Sequence, residues 1–137
     1  MLLYITLGSN DLNRSRLFYD ACLSPLGIMC HVVHDDEIGY GPASVPSTVR
    51  QCHLWIVKPF LKLPATWGNG TLLALAASTR ESVDRFYVAA IAHGGMDEGV
   101  PGLRPYHADF YAAYVRDPDG NKISAVCEVQ AVNLAVD

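Results

Sequence analysis

An internal repeat constrains this chain more than any other feature of its sequence. Residues 71–95, TLLALAASTRESVDRFYVAAIAHGG, show the pattern of a buried strand, a capped helix and a glycine stop. When the second part of the chain is compared with the residues 68 positions earlier, five residues are identical. Composition alone would give roughly one or two identities. The shift places Phe18, Tyr19, Ala21, Gly27 and Leu7 on Phe86, Tyr87, Ala89, Gly95 and Leu75. We therefore expect two copies of one structural unit.

We expect each half to follow the order strand, helix, three strands, although in the second half the sequence marks only two of the three strands after the helix. In the first half the predicted strands cover residues 2–7, 28–34, 37–40 and 51–57, with a loop at 41–48. In the second half they cover residues 72–77, 110–116 and 122–129. A loop is predicted there at 99–105 and a tight turn at 117–121. The helices are capped at Asn10 or Asp11, and at Ser78 with Glu81 as its capping-box partner. Neither half buries a core alone, so we expect a single domain over 1–137, with modules at about 1–58 and 70–130 joined by a linker.

Composition narrows the function classes. The chain is 50% hydrophobic and 18% charged, with a net charge of −4, which gives no basic stripe for nucleic acid. No apolar run approaches the ~18 residues of a membrane span, and the N-terminus lacks the features of a signal peptide, so we expect a cytoplasmic protein without a membrane partner. The four cysteines are scattered and indicate reduced thiols rather than a metal or redox motif.

Three segments carry a family resemblance: TLGSNDLNRSRLFYD, VDRFYVAAIAHGG and PGLRPYHADFYAAYVRDPDGNKISAV, with DPDGN before the last strand as the best single marker. In this order of motifs the chain resembles the vicinal oxygen chelate superfamily, which includes glyoxalase I, bleomycin-resistance proteins and extradiol dioxygenases. The resemblance implies an α+β fold of two tandem βαβββ modules, which form a curled mixed sheet with helices on the outside, and it implies a homodimer. A ferredoxin-like barrel is the alternative fold, but it has two helices in each half and the sequence predicts one.

The resemblance also implies a divalent metal ion held by His and Glu side chains from the first and last strands of each module. The family's first histidine falls on Tyr4, which strand alternation places on the cleft face with Thr6. The shift of 68 then gives Leu72 for the second histidine. Counted from DPDGN, one glutamate falls on Ser124, and the same shift gives Ile56 for the other. These side chains are poor metal ligands or carry no donor atom, so we expect no metal cofactor unless the site has been relocated to His31, His34 and His53.

A cleft without a charged metal site is mostly apolar, with a few hydroxyl groups, and suits an uncharged or aromatic small molecule. Arg104 or His107 is available for an anionic end of that ligand, whereas Trp55 and Trp67 are assigned to core or linker packing rather than to ligand stacking. The predicted ligand-binding residues are Tyr4, Thr6, Leu54, Ile56, Leu72, Ala74, Arg104, His107, Tyr111 and Ser124.

Two other classes of function stay open at this point. One is a lyase or dioxygenase-type enzyme of the same superfamily, with acid–base chemistry rebuilt on Tyr4, Tyr111 or His107 or with a relocated metal ion. The other is an interaction subunit, which predicts a cleft filled by side chains and an exposed apolar patch elsewhere.

Overall fold

The computed structural model describes residues 1–130, and these form two βαβββ units in tandem. The first unit contains β1 (Ile5–Gly8), α1 (Leu12–Leu23), β2 (Ile28–Val33), β3 (Glu37–Pro42) and β4 (Leu54–Val57), with short 3-10 turns at Ser24–Leu26 and Val49–Gln51. The second contains β5 (Leu73–Ala76), α2 (Arg80–Ala92), β6 (Met96–Leu103), β7 (Tyr111–Arg116) and β8 (Lys122–Cys127). The predicted α+β fold with two tandem βαβββ modules is confirmed. The last seven positions of the predicted domain, 131–137, lie outside the described residues.

Each unit forms its own four-stranded mixed sheet. The strand orders are β1-β4-β3-β2 and β5-β8-β7-β6, and in each sheet the first and last strands of the unit run parallel while the other pairs are antiparallel. One face of each sheet packs against the helices, and we call the opposite face the open face. No helix among residues 1–130 is long and apolar enough to cross a membrane.

The helix starts follow the expected chemistry, with one displacement. Asp11 caps α1 by accepting a hydrogen bond from the Arg14 amide, as one of the two predicted caps. For α2 the predicted cap at Ser78 is wrong, because Thr79 accepts the hydrogen bond from the Ser82 amide. Thr79 has the extended backbone of a cap residue and immediately precedes the first helical turn, so it meets the unpaired amides that Ser78 cannot reach.

Residues 99–105 were predicted to be a loop, and this prediction is wrong for most of the segment. Strand β6 runs from Met96 to Leu103 and pairs with β7. The segment contains Gly99, Pro101 and Gly102. Neither glycine nor proline favours regular strand pairing, so the sequence does not indicate a strand here. The register of the β6–β7 pairing shifts around Gly99, and a strand tolerates glycine and proline at such an irregularity.

A single hydrophobic core joins the two units. The two helices pack against each other, and the cluster includes Phe18, Tyr19, Cys22, Leu23, Ile38, Tyr40, Leu54, Ile56, Ala77, Val83, Phe86, Ala90, Ala113, Val115, Ile123, Ala125 and Cys127. Because both helix-covered faces contribute to this cluster, neither sheet depends on a core of its own.

A buried polar network around Asp117 also connects the units, and we call it the Asp117 network. Asp117 lies in the turn between β7 and β8 and accepts hydrogen bonds from the Tyr19 hydroxyl on α1 and from the Asn121 side chain. In the same turn, Asp119 accepts hydrogen bonds from Arg14 and Ser15 of α1. Burial removes water from the Asp117 carboxyl and raises its pKa, although its hydrogen bonds oppose that shift.

Candidate functional site

The open face of the first sheet carries a groove of about 1510 Å³. Trp55 on β4 and Thr6 on β1 are neighbours across the sheet, and both line the groove. The lining residues are Leu3, Tyr4, Thr6, Ser9, Asn10, Asp36, Glu37, Val49, Arg50, Cys52, Trp55, Val57, Lys58, Pro59, Phe60, Lys62, Leu63 and Pro64. The side chains therefore leave this face open, which disagrees with the filled cleft expected for an interaction subunit.

Two glycines on β3 shape the wall of the groove. A Cβ atom at Gly41 would lie 1.8 Å from the Gln51 carbonyl oxygen, and one at Gly39 would lie 2.5 Å from the Cys52 sulfur and 2.9 Å from the Trp55 ring. The backbone before β4 and the indole ring therefore rest directly on β3. Burial raises the pKa of the Cys52 thiol, which keeps this part of the wall neutral.

The strand pairing of β4 shows that part of the predicted site is wrong. Ile5 pairs with Leu54 in the first sheet, and Leu73 pairs with Ile123 in the second. Ile5 and Leu73 are 68 positions apart, but Leu54 and Ile123 are 69 positions apart, so the repeat gains one residue before the last strand. A shift of one residue exchanges the two faces of a strand.

Leu54 and Ile56 consequently point into the core, and their prediction as cleft residues is wrong. Trp55 and Val57 occupy the open face instead, so the assignment of Trp55 to core packing is also wrong. The structural equivalent of Ser124 in the first unit is Trp55, not Ile56. The assignment of Trp67 to linker packing agrees with the structure, because the Arg116 guanidinium lies 4.8 Å from its ring centroid.

Tyr4 and Thr6 line the groove, but the remaining predicted residues are divided between other places. Leu72 and Ala74 are exposed at β5, and Ala74 is the sheet neighbour of Ser124. Ser124 lies on the open face of the second sheet and is fully buried, and among residues 1–130 its hydroxyl has no hydrogen-bond partner.

Tyr111 does not face the open side, and that prediction is wrong. It packs against the core, and its hydroxyl donates to Asp84 of α2 at 2.6 Å, a hydrogen bond that, together with burial, raises the pKa of the phenol. His107 is exposed in the loop before β7, with its Nε2 3.0 Å from a carboxylate oxygen of Glu128. Arg104 lies over the ring of Tyr114 on the open face of the second sheet.

The three histidines considered for a relocated metal site have separate partners. His31 contacts the Pro42 carbonyl oxygen, His34 contacts Glu37, and His53 contacts the Leu3 carbonyl oxygen. Within residues 1–130, no group of three or more His, Cys, Asp or Glu side chains is arranged to hold a metal ion.

Comparison with solved structures identifies the fold family. The chain is 42% identical to a glyoxalase/bleomycin resistance protein from Albidiferax ferrireducens T118, with a TM-score of 0.77 over 90% of this chain and 95% of that one. It therefore belongs to the glyoxalase/bleomycin resistance/dioxygenase superfamily, which confirms the resemblance seen in the sequence.

More distant structures share the fold alone. A glyoxalase-related enzyme from Fulvimarina pelagi is 20% identical, with a TM-score of 0.72 over 93% of this chain and 87% of that one. A lactoylglutathione lyase from Agrobacterium tumefaciens is 18% identical, with a TM-score of 0.59 over 93% and 92% of the two chains. No family model and no curated protein matches the chain.

The side chains at the four family metal positions do not fit a divalent cation. With the corrected register these positions hold Tyr4, Trp55, Leu72 and Ser124. Neutral phenol and alcohol groups are poor ligands, and the indole and the leucine side chain offer no lone pair to a metal ion. The buried Ser124 hydroxyl has no hydrogen-bond partner within the described residues either.

Proposed function

We propose that this chain is a small-molecule binding protein of its superfamily, and that it binds a largely apolar or aromatic ligand without a metal ion. The groove over Trp55 carries the proposal. Its floor is an indole ring, its walls include Tyr4, Phe60 and Leu63, and Thr6 supplies a hydroxyl group for orientation. Ligand sites usually combine such an apolar surface with a few polar groups, and the groove volume is sufficient for a drug-sized molecule.

Tryptophan fluorescence tests this proposal directly, because the chain has two tryptophans and only Trp55 lines the groove. In a Trp67→Phe variant the remaining fluorescence reports on the groove. We expect neutral aromatic compounds such as 2-naphthol and naphthamide to change that signal with saturation. The matched Trp55→Phe variant, which reports from Trp67, should show no saturable change.

Titration of the metal-free protein with Ni²⁺, Zn²⁺, Mn²⁺ and Fe²⁺ tests the second part of the proposal. We expect no tight stoichiometric heat of binding, because the four family positions offer no suitable donor set. A tight one-to-one metal complex that is lost on substitution of Tyr4 or Ser124 would contradict metal-free binding.

The enzyme alternative has less support from the geometry. Of the side chains predicted for acid–base chemistry, Tyr4 lies in the groove, Tyr111 is bonded to Asp84 on the helix side, and His107 is paired with Glu128. General acid–base catalysis needs its groups within reach of one reacting atom, and these three belong to different parts of the fold.

We also propose that the chain forms a homodimer in the cytoplasm. Phe60 and Leu61 in the linker are 96% and 75% exposed, and such apolar patches mark interaction sites. Cys22, Cys30, Cys52 and Cys127 are free thiols, as is typical of proteins from a reducing compartment.

Native mass spectrometry tests the assembly. We expect twice the 14.9 kDa chain mass, and we expect Phe60→Ser to shift the protein toward the monomer. Leu17→Ser removes an exposed apolar side chain on α1 and is the control. A monomeric wild-type protein would contradict the assembly while leaving ligand binding to be judged by fluorescence.

A further inference from the structure

The open face of the second sheet brings two cations to one aromatic ring. The Arg104 guanidinium carbon lies 5.4 Å from the ring centroid of Tyr114, and the Lys122 ammonium nitrogen lies 5.7 Å from it. Within residues 1–130, neither cation has a carboxylate partner. Nearby acidic side chains are already engaged, since Glu98 pairs with Arg116 and Glu128 pairs with His107. The described part of the chain therefore leaves the positive charge of this face without a neutralising carboxylate.

The position of Arg104 is fixed by the strand beneath it. A Cβ atom at Gly102 would lie 3.1 Å from Nη1 of Arg104, and one at Gly99 would lie 3.2 Å from Nη2. Nη2 also donates to the Val100 carbonyl oxygen at 2.6 Å. The guanidinium therefore rests directly on the backbone of β6, and its remaining N–H groups stay available. An arginine held in this way loses little further freedom when it binds a partner.

Ser124 provides a second, independent indication of a ligand. It is the sheet neighbour of Tyr114, lies on the same open face and is fully buried. Its hydroxyl has no hydrogen-bond partner in the part of the chain that the structure describes. Buried polar groups without partners are uncommon and unfavourable, and they recur at functional sites. An acceptor atom from outside the chain would satisfy this hydroxyl.

We propose that Arg104, Lys122 and Ser124 form an anion site around Tyr114, in which the two cations bind carboxylate or phosphate oxygens of a ligand and the serine donates its hydroxyl to one of them. Because Ser124 is fully buried in the free protein, the side chains that cover it must move when the anion binds. The site is separate from the groove over Trp55 and does not depend on its occupancy.

Calorimetry on the full-length chain tests the charge requirement. Benzoate, inorganic phosphate and benzamide are titrated separately at low ionic strength, with benzamide as the uncharged analogue of benzoate. We expect at least one of the two anions to bind and benzamide to bind about tenfold more weakly or not at all, because hydrogen bonds to charged groups are the stronger ones. Binding of phosphate alone or of benzoate alone identifies the chemical source of the anion. Equal binding of benzoate and benzamide, or no binding of either anion, would overturn the proposal.

Variants then locate the site. Arg104→Met and Lys122→Met should each weaken anion binding by about tenfold or more, and Ser124→Ala should weaken it by several-fold. Arg85→Met removes the same charge from the exposed surface of α2 and should leave the affinity unchanged. Thermal unfolding of each variant confirms that it is folded. An unchanged affinity in Arg104→Met, or an equal loss in Arg85→Met, would show that the anion binds elsewhere or only through net charge.

Discussion

The Asp117 network predicts that removal of the Tyr19 hydroxyl lowers the stability of the protein. This hydroxyl donates to Oδ2 of Asp117 at 2.6 Å, and both side chains are almost completely buried. The other oxygen of the carboxyl accepts from the backbone amides of Asp119 and Asn121. Tyr19→Phe keeps the ring and its packing but leaves a buried carboxylate with one donor fewer. We therefore expect the variant to fold and to be less stable.

The size of the effect depends on the charge of Asp117. A hydrogen bond to a charged group contributes about 1.5–3 kcal/mol, so the free energy of unfolding at pH 7 should fall by about that amount. Burial raises the pKa of Asp117 above its ordinary value, and the Tyr19 hydrogen bond opposes this, so the variant raises the pKa further. A carboxyl with a raised folded-state pKa costs stability as pH rises through that pKa and the group ionises.

Near pH 4 a larger share of Asp117 is protonated, and the bond lost is then between neutral groups. We expect the loss to shrink there toward about 0.5–1.5 kcal/mol. Urea unfolding followed by circular dichroism, at one protein concentration and at both pH values, measures the difference.

Tyr40→Phe is the matched control for this experiment. The Tyr40 hydroxyl donates to Asp20 at 2.9 Å, but the Asp20 carboxylate is 44% exposed, so water replaces the lost donor. We expect a loss of about 1 kcal/mol or less, with little dependence on pH. Equal losses for the two variants, or a Tyr19→Phe loss that does not change between the two pH values, would refute the assignment of a buried charge to Asp117.

Three further variants test other parts of the structure. Gly41→Ala should lower the free energy of unfolding by at least about 2 kcal/mol in urea unfolding, because its Cβ would meet the Gln51 carbonyl oxygen at 1.8 Å; an unchanged midpoint would place that backbone elsewhere. Ser124→Ala should raise the thermal midpoint, since it removes a buried hydroxyl without a partner at a gain of about 1 kcal/mol, and a lower midpoint would mean that the hydroxyl is already bonded. Asn10→Ala removes both hydrogen bonds between the Asn10 side chain and the Ala65 backbone, so thermolysin should cleave the linker faster than in the parent protein, and equal cleavage would contradict this anchoring.

The order of elements could be predicted because its signals are local. Phe18 and Tyr19 recur as Phe86 and Tyr87 on two amphipathic helices, and Asp11 marks the start of the first helix. Such patterns need only the residues within a few turns of each other. The order strand, helix, three strands then follows from the repeat, and with it the family.

The face of β4 could not be predicted in the same way. Leu54, Trp55, Ile56 and Val57 are all apolar, so alternation gives no sign of which side is buried. The prediction depended on a constant shift of 68, but the second unit holds one more residue between its first and last strands than the first unit does. This net difference of one residue leaves both helices in register and reverses the last strand.

The structural role of the DPDGN segment could not be predicted from local sequence patterns either. Its composition predicts a tight turn, and the chain does turn there between β7 and β8. The side chains of Asp117 and Asp119, however, bind Tyr19 and Arg14, which are about a hundred residues earlier in the chain. Only the tertiary structure shows that this turn holds α1 against the second unit.

Position 124 carries no carboxylate, and this is connected with the lack of a carboxylate partner for Arg104 and Lys122 among residues 1–130. A glutamate at 124 would project from β8 on the same face as Lys122, two positions along the strand, and next to Tyr114, over which both cations lie. It would then pair with these cations at short range and in a partly buried setting, where such an interaction is strong. One face cannot offer both an unpaired carboxylate to a metal ion and unpaired cations to an anion. A neutral serine at this position therefore leaves the two cations free for a ligand, which is the arrangement that the anion site requires.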